Sequence, residues 1–234
     1  MSRKKLPFVH FEWTPDIAYV VGLLVTDGCL SKDGRHINMR SAEPVLLATF
    51  KKCLNLKNKI GYTEGQRGYR VQFGNVQFYN WLLNIGLFPA KTHTIGEIKI
   101  PDKFFRDFLR GHLDGDGNIT RYKDTYNTYK GRRYTSNRLF VRFISASKSH
   151  IVWLRTKISE LAGVNGALIK EWRPEANRVP IWEIKFAKKA SINLLEWIYY
   201  QPQLPSLQRK RALAMRALSE LQNEKRKAYT MIET

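Results

Sequence analysis

The sequence predicts an α+β protein built from two pseudo-symmetric αββαββα repeats, each with antiparallel hairpins between its helices. Three observations predict it. The run Val20-Val21-Gly22-Leu23-Leu24-Val25-Thr26-Asp27-Gly28 has a near twin in Leu109-Arg110-Gly111-His112-Leu113-Asp114-Gly115-Asp116-Gly117. Gly22 and Gly111 are 89 positions apart, and so are Asp27 and Asp116. After each run the apolar pattern passes from helical to alternating and back in the same order, as expected of a repeated supersecondary unit.

The first motif helix opens at Thr14-Pro15-Asp16. Thr is a good cap, Pro suits the first helical position, and Asp favours the positive helix end. The helix ends at Asp27-Gly28, where glycine can adopt the left-handed stop. The run His36-Ile37-Asn38-Met39-Arg40 then alternates like a strand and ends in Ser41-Ala42. An amphipathic helix over about Pro44 to Leu54, a hairpin over Lys59 to Phe73 and a helix over about Val76 to Ile85 complete the unit. The second motif helix starts near Pro101-Asp102 and ends at Asp116-Gly117. Arg138 to Phe143 alternates and leads into Ser145-Ala146, a helix over Lys148 to Ala162, a hairpin over Ala167 to Phe186 and a helix over about Ala190 to Tyr199. The division is therefore 1–85 for the first repeat, 86–99 for the join, and 100–234 for the second repeat with a C-terminal helix.

The repeats differ in one place. Asp27 to Ser41 spans 14 positions and Asp116 to Ser145 spans 29. The extra residues, about Asp124 to Asn137, read either as a polar loop or as a longer ribbon over a ligand, and we take the ribbon. The chain closes with an amphipathic helix from Ser206, carrying Leu207, Ala214, Leu218 and Leu221 on one stripe. About Asn223 to Thr234 is expected to fray.

Composition narrows the function. The 234 residues are 43% hydrophobic, enough for a sizeable core, and carry a formal net charge of +20 with a pI near 10.1. Such an excess repels itself unless a polyanion offsets it, so nucleic acid is the expected partner. No run approaches the ~18 apolar residues of a membrane span, and Met1 to Trp13 lacks the apolar core of a secretory signal. Cys29 and Cys53 make neither a disulfide framework nor a metal knuckle, and are expected as reduced thiols near the core of an intracellular protein. Prokaryotic cytoplasm and organelle matrix fit equally.

A glycine buried in a helix costs roughly 1 kcal/mol against Ala. In return it permits close backbone approach. Two parallel helices crossing at Gly22 and Gly111, with Val21, Leu24, His112 and Leu113 packed around them, would bring Asp27 and Asp116 together. Two carboxylates at two negative helix ends call for a cation between them, and hard oxygen ligands point to Mg²⁺. In a single copy, Asp-Gly would simply end a helix; the matched pair favours a functional reading. Asp114-Gly115-Asp116-Gly117-Asn118 resembles the opening of a calcium loop, but Ile119 stands where that loop needs Gly and Thr125 where it needs Glu.

With its doubled motif and doubled unit, the chain resembles the LAGLIDADG homing endonucleases in their single-chain form, over about Thr14 to Leu221. The resemblance implies a monomer with two sheets forming a saddle on duplex DNA. It also implies divalent-metal-dependent hydrolysis of both strands across the minor groove of a long asymmetric site. Mg²⁺ would be the working ion and Ca²⁺ one that occupies the sites without supporting cleavage. By position, Asp27 and Asp116 would be metal ligands, helped by the carbonyls of Thr26 and Gly115. Ser41 and Ser145 would stand near the ordered water, and Lys91 and Lys210 near the scissile phosphates, where ordinary surface lysine is the alternative reading. Val25 replaces the first Asp of the family motif, while Asp114 keeps it. No splicing residues of an intein stand at either end, so a free-standing enzyme is expected, whether its gene is intron-encoded or free-standing. The alternative is an intron RNA maturase or a non-cleaving DNA-binding regulator of the same fold.

Half-buried strands present one face outward. In the first sheet that face would hold His36, Asn38, Arg40, Arg70 and Gln72, with Ile37, Met39, Val71 and Phe73 inward. In the second it would hold Arg138, Arg142, Glu183 and Lys185, with Leu139, Val141, Phe143, Ile184 and Phe186 inward. Arg, Asn, Gln and Glu side chains read base edges in the major groove. The turn residues Gln66, Arg67, Lys170, Trp172, Arg173 and Arg178 would reach further bases or phosphates.

Overall fold

The computed structural model describes residues 11–63, 68–129, 131–171 and 180–230. Gln66, Arg67, Trp172, Arg173 and Arg178 lie outside the described residues. In the first half, α1 (Pro15–Thr26) is followed by β1 (Gly28–Leu30), β2 (His36–Ser41), α2 (Pro44–Cys53), β3 (Gly61–Thr63), β4 (Gly68–Gly74) and α3 (Val76–Asn84). A single 3₁₀ turn, Lys91–His93, lies in the connection. The second half runs α4 (Asp102–Asp114), β5 (Asn118–Tyr129), β6 (Arg132–Ser145), α5 (Lys148–Ala162), β7 (Ala167–Glu171), β8 (Ile181–Phe186), α6 (Lys188–Ile198) and α7 (Gln208–Thr230). Each half carries a four-stranded antiparallel sheet, ordered β1-β2-β4-β3 and β5-β6-β8-β7, so the two have the same topology.

The core explains the alternation. Ile37, Met39, Val71 and Phe73 are buried in the first sheet, and Leu139, Val141, Phe143, Ile184 and Phe186 in the second. The helix α1 is buried at every position from Ala18 to Val25, as befits a helix apolar all round. Its start is built as its residues dictate, with the Thr14 hydroxyl accepting the Ile17 N–H at 3.1 Å and Pro15 in the first turn.

Two expectations are corrected and one is met. Gly28 and Gly117 do not adopt the left-handed stop; neither has positive φ. They are glycines because each strand leaves directly over the last helical turn. A Cβ at Gly28 would lie 2.5 Å from Leu24 Cα, and one at Gly117 would lie 2.6 Å from Leu113 Cα. The extra residues of the second half form a ribbon: β5 and β6 pair as far as Tyr129 and Arg132, with a bulge between Asp124 and Asn127. Helix α7 continues through Asn223 to Thr230, where fraying is expected from the sequence. No helix among the described residues is long and apolar enough to cross a membrane.

Candidate metal and nucleic-acid site

The site is set by the crossing of α1 and α4. A Cβ on Gly22 would lie 2.7 Å from the His112 nitrogen and closer still to the Phe108 carbonyl oxygen. A Cβ on Gly111 would lie 2.9 Å from the Tyr19 carbonyl carbon, and closer to its oxygen. The helices therefore touch backbone to backbone. They run parallel, since Gly22 meets Gly111 and, one turn on, Thr26 meets Gly115. That direction delivers both C-terminal ends, with Asp27 and Asp116, to one place.

The electrostatics there are strained. Asp116 opens to solvent and Asp27 is half-buried, yet surrounding protein has replaced much of each carboxyl's hydration. Burial, then the charge of Asp116, raises the Asp27 carboxyl to about 7. Burial raises Asp116 as well, while Lys210 and Lys91 pull both carboxyls back down. A bound cation would relieve the same repulsion.

The two lysines are buried, not surface, residues, with 7% and 4% exposure for Lys91 and Lys210. The Lys91 ammonium donates to the Gly28 carbonyl at 2.5 Å. The Lys210 ammonium donates to the carbonyls of Leu113 at 2.7 Å, Asp114 at 2.9 Å, Gly115 at 3.1 Å and Gly117 at 2.7 Å. Gly28 and Gly117 are equivalent positions of the two motifs, so each lysine caps the negative end of one motif helix. The lysines lie close enough to Asp27 and Asp116 for their charges to be felt by both carboxyls.

Other expected residues fall in several places. Arg40 donates its backbone N–H to the Asp27 carbonyl at 3.3 Å, which puts Ser41 one residue from the site. The Ser41 hydroxyl accepts the Glu43 N–H at 3.0 Å and that of Ser145 accepts the Ser147 N–H at 3.1 Å, so both oxygens cap the turns into α2 and α5. Thr26 bonds its hydroxyl to the Leu23 carbonyl at 3.0 Å. The Gly115 carbonyl, although it accepts from Lys210, has a second lone pair for a cation.

On the outer face of the first sheet, Arg40 pairs across strands with Arg70, and Asn38 with Gln72. His36 is tied to Asp33 at 2.5 Å. In the second sheet Arg142 pairs with Lys185, which lies over the Phe140 ring at 4.3 Å, and Arg138 donates to Asp124 at 2.9 Å. Cations set opposite one another oppose folding unless something negative covers them. Glu183 corrects an expectation. It is 4% exposed, because Ile144 and Ile169 are its cross-strand partners, and it faces Arg142 at 3.6 Å instead of standing free to meet a base. Lys170 is the other correction. Its register partner is Trp182, whose ring also carries Lys148 from α5, so Lys170 belongs with the helix face of the sheet.

Sequence reasoning missed the buried polar groups Asp107 and Arg110 of α4 and gave Asp114 only a structural place in the motif; their burial is a tertiary fact. Among the described residues no group of three or more His, Cys, Asp or Glu side chains could hold a metal ion, and the oxygen donors brought together here are the Asp27 and Asp116 carboxylates and nearby carbonyls.

No family description matches the sequence, and no curated protein does. Solved structures do match. The LAGLIDADG homing endonuclease I-LtrWI, bound to target DNA, aligns over 90% of this chain and 91% of its own at a TM-score of 0.60 and 14% identity. The LAGLIDADG meganuclease I-AabMI, bound to uncleaved DNA, aligns over 92% of both chains at 0.60 and 12% identity. Full-length DUF199/WhiA from Thermatoga maritima covers 97% of this chain and 70% of its own, at 0.53 and 17% identity.

Proposed function

From a chain with the two-repeat fold of the LAGLIDADG homing endonucleases, we infer a site-specific, divalent-metal-dependent endonuclease acting on double-stranded DNA. The observation that carries this reading is the convergence of Asp27 and Asp116 at a backbone-to-backbone helix crossing, flanked by two buried lysines. A carboxylate pair raised by burial, with the charge of Asp116 raising Asp27 further, beside carbonyls of Thr26 and Gly115, offers the hard oxygen donors that Mg²⁺ takes. Such an ion, when bound, supplies Lewis acidity for water activation and leaving-oxygen stabilisation.

The chain's own residues do the rest. Asp27 and Asp116 hold the cation. Lys91 and Lys210 offset charge at the phosphates through the helix ends they cap, without needing to reach them. Ser41 and Ser145 fix the turns beside the site. His36, Asn38, Arg40, Arg70 and Gln72 in one repeat, and Arg138, Arg142 and Lys185 in the other, present the reading surface. We assign residues 1–85 and 100–234 to the two repeats, so each reads one end of the duplex.

The test is a cleavage selection over randomised duplexes with Mg²⁺, and with Ca²⁺ as control. Cutting is expected with Mg²⁺ alone, and Asp27→Asn or Asp116→Asn abolishes it while leaving binding in Ca²⁺. Normal cutting by both variants sinks the assignment. Selective duplex binding with no cutting under any metal would instead make the chain a DNA-binding regulator.

A further inference from the structure

We propose that Asp114 is a positioning residue that holds Lys210 over the end of α4, and thereby sets the charge on one side of the Asp27–Asp116 pair. The proposal rests on the reading of the site just given. Asp114 is 1% exposed. Its Oδ2 accepts the Tyr19 hydroxyl of α1 at 2.9 Å and the Leu207 backbone N–H at 2.7 Å. Leu207 directly precedes α7, and Lys210 is the third residue of that helix. A carboxylate at a helix start is favourably placed against the helix dipole. Lys210 in turn donates to four carbonyls at the end of α4. The two helix ends are thus clasped reciprocally: an α4 side chain holds α7 backbone, and an α7 side chain holds α4 backbone.

One turn back, Arg110 strengthens the clasp. Its Nε donates to the Pro205 carbonyl at 2.8 Å and its Nη1 to the Ile198 carbonyl at 3.1 Å. Its Nη2 pairs with Asp107 at 2.8 Å, which also accepts the Tyr200 hydroxyl at 3.1 Å. The first repeat has none of this. Eighty-nine positions earlier, Asp107, Arg110 and Asp114 correspond to Ala18, Val21 and Val25. The Lys91 turn is steadied differently, by Ser147 and Ser149 donating to the Ile95 carbonyl at 2.5 and 3.0 Å. Packing alone does not require an acid at 114, since Val25 fills the matching place. Nor is the acid comfortable: its Oδ1 is buried with no partner among the described residues, an arrangement that costs stability. Holding α7 is what the carboxylate does that valine cannot.

The experiment measures access to the Lys210 amine in the free full-length chain, by competitive acetylation with acetic anhydride at fixed pH and mass spectrometry. In Asp114→Val, Lys210 labelling should rise about tenfold, mid-range for coupling between contacting residues, with Lys91 unchanged. Tyr19→Phe should give a smaller rise of the same kind. Unchanged Lys210 labelling in a folded Asp114→Val overturns the proposal. If that variant does not fold, Asp114→Asn takes its place, with a rise of about threefold expected from weakening a charge-assisted bond. Single-turnover cleavage adds a second readout: Asp114→Val should lose about 100-fold in rate, and nothing further in a Lys210→Met background. Additive losses would show that Asp114 acts elsewhere. If the wild type cuts no duplex, the nuclease reading fails, and labelling still decides the positioning.

Discussion

Lys91 and Lys210 stand at matching helix ends but are bound unequally, with one carbonyl partner against four. Buried carbonyls left unpaired cost about 1–3 kcal/mol each when no water reaches them. Lys210→Met should therefore destabilise the chain by about 4 kcal/mol or more and Lys91→Met by about 1–3 kcal/mol, an ordering that parallel urea melts would read directly. A buried histidine pair contributes to acid sensitivity. His150 Nδ1 lies 2.7 Å from the Gly96 carbonyl, which can only accept, so that nitrogen carries the proton. Its Nε2 then accepts from His112 Nε2 at 3.3 Å, and both rings are neutral. Burial pushes His150 down to about 4 and, together with the charge His150 would carry, holds His112 well below its ordinary value. Below pH ~6.5 the unfolded chain takes up protons that the folded one refuses. The contribution of His150 is full above that pH and is lost toward pH 4, on the order of 3 kcal/mol, while the raised Asp27 carboxyl works the opposite way over the same range. His150→Gln should remove that loss, so its stability relative to the unsubstituted chain should rise from pH 7 to 4 in parallel melts; a difference that stays constant with pH would discount the histidine.

At the scale of elements, the crossing of α1 and α4 is the feature most exposed to a single methyl group. Gly22→Ala or Gly111→Ala sets a Cβ against backbone of the other helix, which no rotamer change can relieve. Overpacking of that kind should cost about 3 kcal/mol or more, which in a chain of this size lowers the melting temperature by roughly 6–12 °C. An unchanged melt would show that the helices can part. This crossing was legible in the sequence, because glycine in an apolar helix at a repeated spacing has few other uses. The sheet faces were legible too, since period-two alternation fixes which side each residue takes. What lay beyond sequence was anything decided by a neighbour from another element. Glu183 reads as an outward acid, and only Ile144 and Ile169 on adjacent strands show why it is buried. Lys210 reads as one lysine in a Lys/Arg-rich tract; its four carbonyl partners come from the end of a helix and the turn after it, almost a hundred residues away. The length of α7 escaped as well, because a polar run that would fray alone continues a helix already docked.

For the molecule as a whole, a net charge of +20 and cations paired across both sheets fit a partner of opposite charge. Duplex affinity should fall by about 10³–10⁵ between 50 and 200 mM salt if six to ten phosphates are neutralised. Fluorescence anisotropy in Ca²⁺ would measure the slope, and a flat response would exclude phosphate-led binding. The two repeats share a topology but not a reach. Among the described residues, β5 and β6 pair as strands only with each other from Thr120 and Phe140 outward, since β8 joins β6 at Val141 to Ser145, with Leu139 still in the core and Arg121 paired with Glu220 of α7. The hairpin is a cantilever rooted in the sheet. Its outer segment, beyond Tyr122 and Arg138, can be shortened, lengthened or exchanged for another hairpin while the motif helices and the hydrophobic interior stay as they are, which makes it a natural grafting point for changing what one repeat touches without redesigning the other.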